Sequence, residues 1–69
     1  MKVYKIATRE WLLLLRNRYD LTQDQVAKLA GISRSYYSEI EVGVKSPGGK
    51  TAKRIADVLD FNMALFFED

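Results

Sequence analysis

Residues 21–47, Leu21 to Pro47, read LTQDQVAKLAGISRSYYSEIEVGVKSP, and the caps and glycines in this stretch predict two short helices joined by a tight turn and followed by a basic loop. Thr22 with Gln25 three residues later makes a capping box: the hydroxyl accepts from the backbone N–H of Gln25, whose side-chain amide reaches back to the N–H of Thr22. Val26, Ala27 and Ala30 then share one face at three- and four-residue spacing, and Gly31 stands where a helix end takes up the left-handed conformation. Ile32 follows as a hydrophobic plug and Ser33 as a second N-cap. Tyr37 and Ile40 supply the inward face of the next helix, and Gly43 ends it. Ala27 is small where two helices must cross closely, and together with Gly31 it favours a sharp bend over a long helical hairpin.

Working outward, the pattern is helical throughout, with no repeat and no low-complexity linker. Thr8 is the candidate N-cap of a first helix running to about Tyr19, with Leu12 and Leu15 facing the core and Trp11 and Leu14 flanking. Pro47-Gly48-Gly49 breaks the chain, after which Thr51, Ala52, Ile55, Ala56 and Leu59 form the inward stripe of a fourth helix. Asn62 caps a short last helix from Met63 to Phe67. Residues 1–7, MKVYKIA, alternate weakly at Val3, Tyr4 and Ile6. They are expected to form an arm packed on the body, with a short strand as the alternative.

Sixty-nine residues make one domain at most, residues 1–69, with a single small core. The chain has no cysteine and no histidine, so disulfides are excluded and no metal site is expected. With neither residue, and no paired carboxylates in a plausible cleft, the sequence supplies nothing for an enzyme, and no cofactor is implied. Gly48-Gly49-Lys50-Thr51 suggests a phosphate loop, but no strand precedes it and the full nucleotide-binding spacing is missing. The longest apolar run, Trp11 to Leu15, is too short to cross a bilayer, and the N-terminus lacks a signal-peptide layout, so the expected location is the cytoplasm of a bacterium or of a cell carrying its phage.

The net charge is only +2, but it is polarised along the chain. Residues 1–54 hold all eleven Lys and Arg against five acids, whereas residues 55–69 hold Asp57, Asp60, Glu68 and Asp69 and no base. A basic body with an acidic tail suits a protein that sets one face on phosphate and keeps the other end away from it.

Leu21-Thr22-Gln23, Val26-Ala27, Gly31, Ser33, Ile40-Glu41, Gly43, Lys45 and Pro47 together resemble the Cro/repressor-like (lambda-repressor-like, or XRE) helix-turn-helix family. The E-x-G-x-K-x-P run from Glu41 to Pro47 is the more specific half, and the similarity extends from about Leu12 to Phe67. The resemblance implies an all-α, compact five-helix domain with the helix-turn-helix at helices 2 and 3. It also implies a sequence-specific regulator that binds double-stranded DNA: a repressor or Cro-like control protein on a palindromic operator, working as a homodimer. The alternative is an antitoxin or other protein-interaction module that holds a protein partner and controls its own promoter.

A major groove admits one helix, and the second helix of the motif is the one to insert. The resemblance puts base contacts at its outward residues Arg34, Ser35, Ser38 and Glu39. Arg34 suits guanine O6 and N7, the serines suit any base, and Glu39 suits cytosine N4. A phosphate contact for Arg34, and for Glu39 a repulsive role or a pairing with Arg34, stand beside these. Phosphate contacts are expected from Gln23 at the start of the first motif helix, from Ser33 and Tyr36, and from Lys45, Ser46 and Lys50 in and after the following loop. In the family, the positions matching Arg16 and Glu41 form an ion pair that braces the first helix against the recognition helix. Phe61, Met63, Phe66 and Phe67, with Leu13 and Leu14, offer more apolar surface than so small a core readily absorbs, and are the expected dimer contact. Adjacent Tyr36 and Tyr37, Leu29 and Val42 depart from the family pattern and leave the base code open.

Overall fold

The computed structural model describes residues 8–68. Four α-helices follow one another, α1 Glu10–Arg18, α2 Gln23–Ala30, α3 Arg34–Val42 and α4 Gly49–Leu59, and a 3-10 helix, Met63–Phe67, closes the chain. The fold is all-α, but the expected fifth helix has the tighter 3-10 geometry. Its five residues are too few to repay the nucleation of a separate α-helix. The arm expected at residues 1–7 lies outside the described residues.

The caps account for where the motif helices start and stop. Thr22 Oγ1 accepts from the N–H of Gln25 at 3.1 Å, and Gln25 Oε1 accepts from the N–H of Thr22 at 2.8 Å. Gly31 (φ 73°) and Gly43 (φ 90°) take the left-handed conformation at the ends of α2 and α3, a region where a Cβ is strained. The N–H of Ile32 returns to Ala27 O at 2.9 Å, closing the turn. Ser33 Oγ accepts from the N–H of Tyr36 at 3.1 Å and starts α3. Helix α1 begins differently from the expectation. Its N-cap is Arg9, with no side-chain cap bond, rather than Thr8. The backbone N–H of Arg9 is held by Glu41 O at 2.9 Å, and this pins the start of α1 to the end of α3.

Leu12, Val26, Tyr37, Ile40, Ile55 and Leu59 are fully buried, with Ala27, Ala30, Ala52 and Ala56 filling the close crossings between helices. Burying a large apolar side chain contributes roughly 1.5–3 kcal/mol, so these six dominate the favourable term in a domain of this size. Helix α2 packs on α3 and α4, and α1 reaches α3. A second, aromatic layer joins α1 to the segment that follows α4. Trp11 lies edge-on to Phe61 at 5.3 Å and to Phe66 at 5.2 Å, and the two phenylalanines are 5.5 Å apart. Among the described residues no helix is long and apolar enough to cross a membrane.

A methyl group added at Gly31 would find only the tip of Arg54, at 3.7 Å, so the cost of Gly31→Ala is conformational. The variant should unfold with an unchanged urea slope and about 1–2 kcal/mol less stability, measured by circular dichroism.

Candidate nucleic-acid interface

Glu41 is the one charged side chain buried among the described residues, at 4% exposure, and four donor groups converge on it. Arg16 Nε donates to Oε2 at 2.8 Å and Arg16 Nη2 to Oε1 at 3.0 Å, a two-pronged ion pair from α1 to α3. The Tyr37 hydroxyl donates to Oε2 at 2.8 Å, and Gln23 Nε2 to Oε1 at 3.1 Å. Arg16 Nη1 also donates to Leu21 O at 2.9 Å, tying in the approach to α2. Every buried side-chain polar atom among the described residues has a partner, which is what a buried charge needs to be tolerated.

The electrostatics follow from this geometry. Burial pushes the Glu41 carboxyl up, but the hydrogen bonds from Arg16, Tyr37 and Gln23 and the Arg16 charge outweigh it and hold the group below its ordinary 4.5. Burial, then the bond to Glu41 and its charge, push the Tyr37 phenol far above its ordinary 10. The Arg16 guanidinium is raised by its bond to Glu41, against the effect of burial.

With Tyr37 and Ile40 turned inward, the opposite side of α3 is the free one. Arg34 and Ser35 are exposed, Ser38 and Glu39 half-buried, and all four line one shallow depression. Arg34 also borders a second depression with Arg16, Leu21, Thr22, Gln23 and Asp24 at the start of α2. The surface is therefore continuous from the first motif helix onto α3. Glu39 does not pair with Arg34: its carboxylate lies 3.5 Å from Lys45 Nζ, and that ammonium sits 5.9 Å from the centre of the Tyr36 ring. The loop comes back to α3 because Glu39 O accepts from the N–H groups of both Val44 and Lys45, at 2.9 and 3.1 Å. Lys45, Ser46 and Lys50 are exposed beside it, whereas Pro47 is buried and anchors the loop. Ser33 is exposed with its hydroxyl engaged as a cap.

The aromatic residues of the last segment divide. Phe66 is 6% exposed and belongs to the core of the single chain, so it is withdrawn from the expected dimer contact; the Trp11 and Phe61 rings already cover it. Phe61 and Met63 pack partly against the core, Leu13 is half-buried, and Phe67 and Leu14 stand out at 56% and 66% exposure.

The contacts of three residues escaped the sequence. Tyr37 and Glu41 are four residues apart and so share a helix face, a spacing that could have revealed the hydroxyl's partner. Gln23 engages Glu41 from a residue 18 positions away, and Arg9 reaches Ile40 O and Lys45 O from more than 30. No local signal announces those two.

The family model described as helix-turn-helix matches residues 12–66. The chain is also 43% identical over 61 residues, 88% of its own length and 80% of the relative's, to YqaF of Bacillus subtilis (strain 168), an uncharacterized HTH-type transcriptional regulator.

Because Glu41 titrates lower when folded than its ordinary 4.5, its stabilisation is present above that value and is lost as pH falls through the folded pKa. Urea midpoints followed by circular dichroism should decline on acidification below about pH 4.5 more steeply in the wild type than in Glu41→Gln. At neutral pH the variant should be less stable by about 3 kcal/mol, because Arg16 keeps its charge without a counter-charge. Parallel acid profiles would contradict the assignment.

Proposed function

This chain belongs to the helix-turn-helix family of DNA-binding transcriptional regulators, and within it we propose a repressor or Cro-like control protein that occupies a palindromic operator as a homodimer. The observation that supports the reading best is the continuous outward surface that runs from Gln23 at the start of α2 onto Arg34, Ser35, Ser38 and Glu39, the last four carried by a helix, α3, whose other side is locked into the core. Direct readout needs a helix that enters the groove without losing its own packing. In this reading Arg34 addresses guanine and the two serines address adjacent bases. Glu39 accepts from cytosine N4 once Lys45 leaves it for the DNA backbone.

The flanks supply register. Gln23 and Ser33 approach the backbone on one side of the groove, and Lys45, Ser46 and Lys50, with Tyr36 beside Lys45, on the other. Four to six neutralised phosphates per subunit would give a log K against log[salt] slope near −0.9 for each. The exposure of Phe67 and Leu14 and the incomplete burial of Phe61 and Met63 support a second copy as the partner that covers them. Two-fold pairing spaces the recognition helices by about one DNA turn.

Selection of bound sites from a random duplex pool should return an inverted repeat with half-site centres about 10 base pairs apart. Arg34→Ala should relax one position of that consensus at a cost of about 1–3 kcal/mol. Gln23→Ala should weaken all duplexes alike. A consensus without symmetry would remove the dimer, and an Arg34→Ala variant that selects the wild-type consensus would remove direct readout by that residue.

A further inference from the structure

We propose that Arg9 is a positioning residue for DNA binding, which sets the loop carrying Lys45 and Ser46 against the recognition helix without touching DNA itself. The inference rests on the reading of that loop as a backbone contact. Arg9 Nη1 donates to Ile40 O at 2.6 Å and to Lys45 O at 3.1 Å, and Nη2 reaches Ser46 Oγ at 3.3 Å. Its backbone N–H is bound to Glu41 O at 2.9 Å. One planar group thus spans from the last turn of α3 to the two loop residues that face outward. Phe66 lies across the guanidinium at 5.7 Å from its ring centre, and the side chain is half-buried.

Two consequences follow from the chemistry of the fork. Helix α3 has no basic residue in its own last turn, so Arg9 supplies the cation that its C-terminal carbonyls favour. Both terminal nitrogens of the guanidinium are directed at protein acceptors, one in α3 and two in the loop, which holds Lys45 and Ser46 at one spacing from α3 before DNA arrives. A loop ordered in advance does not lose that freedom on binding. Lysine cannot replace the fork, because a single ammonium lacks the fixed geometry that bridges Ile40 O, Lys45 O and Ser46 Oγ together.

The test measures dissociation constants over a salt series for the wild type, Arg9→Lys, Arg9→Gln, Lys45→Ala and the Arg9→Gln/Lys45→Ala double variant. Each binds the duplex selected from the random pool and an unrelated duplex. Both Arg9 variants should bind both duplexes about five- to tenfold more weakly, with the ratio between duplexes unchanged and a shallower salt slope. The double variant should be no weaker than Lys45→Ala within about twofold, since residues acting through one another are not additive. Wild-type affinity in either Arg9 variant, or multiplicative losses in the double variant, would overturn the proposal. Lys45→Ala with wild-type affinity and slope would instead remove the backbone reading of the loop, and the Arg9 role with it. Arg9→Lys keeps the charge, so it decides the matter if Arg9→Gln is unfolded; displaced amide resonances of Val44, Lys45 and Ser46 in folded Arg9→Lys are expected, and unmoved ones would also overturn the role.

Discussion

A carboxylate with almost no access to water organises this molecule. Glu41 lies near the end of α3, and the groups that satisfy it come from α1 (Arg16), from the first residue of α2 (Gln23) and from α3 itself (Tyr37). An isolated buried charge is expensive, and each lost donor would leave part of that cost uncompensated. The three helices are therefore held in a single relative arrangement: any shift of one against another lengthens a charge-assisted bond in the middle of the cluster. Apolar packing around Leu12, Val26 and Ile40 is far less directional and could accommodate small slides. The carboxylate contributes orientation where the core contributes adhesion.

That division bears directly on the outward side of α3. The residues that hold the helix, Tyr37, Ile40 and Glu41, and those that are free, Arg34, Ser35, Ser38 and Glu39, alternate along nine residues of one helix. The Ser33 and Gly43 caps limit its length, and the brace limits its rotation. Gln23 belongs to both systems, since its amide engages Glu41 while the residue borders the depression shared with Arg34. Surface ion pairs such as Asp24 with Lys28 and Lys53 with Asp57 are exposed and contribute little to this rigidity.

What the sequence revealed and what it concealed divide along the range of the interactions. The caps at Thr22, Ser33 and Asn62, the left-handed glycines at 31 and 43 and the inward stripe of α4 are local, and each was legible from residue type and spacing. The start of α1 was not: Thr8 has the chemistry of a cap, but the tie from Arg9 to the end of α3 decides the matter, and a tertiary bond leaves no trace in a window of a few residues. The burial of Phe66 depends on Trp11, far earlier in the chain. At the candidate site, the outward set on α3 followed from helical periodicity once Tyr37 and Ile40 were turned inward. The pairing of Glu39 with Lys45, rather than with Arg34, is set by how the loop folds back onto Glu39 O, and periodicity carries no information about that.

The alternation along α3 also has a bearing on descent. Because Arg34, Ser35, Ser38 and Glu39 project from a helix whose seat is defined by other residues, replacing them leaves the core volume and the Glu41 donors unaltered. Chains sharing this scaffold can therefore differ on one strip of surface while their interiors stay nearly identical, and under the reading proposed above a handful of substitutions there would separate the targets of two copies of one gene.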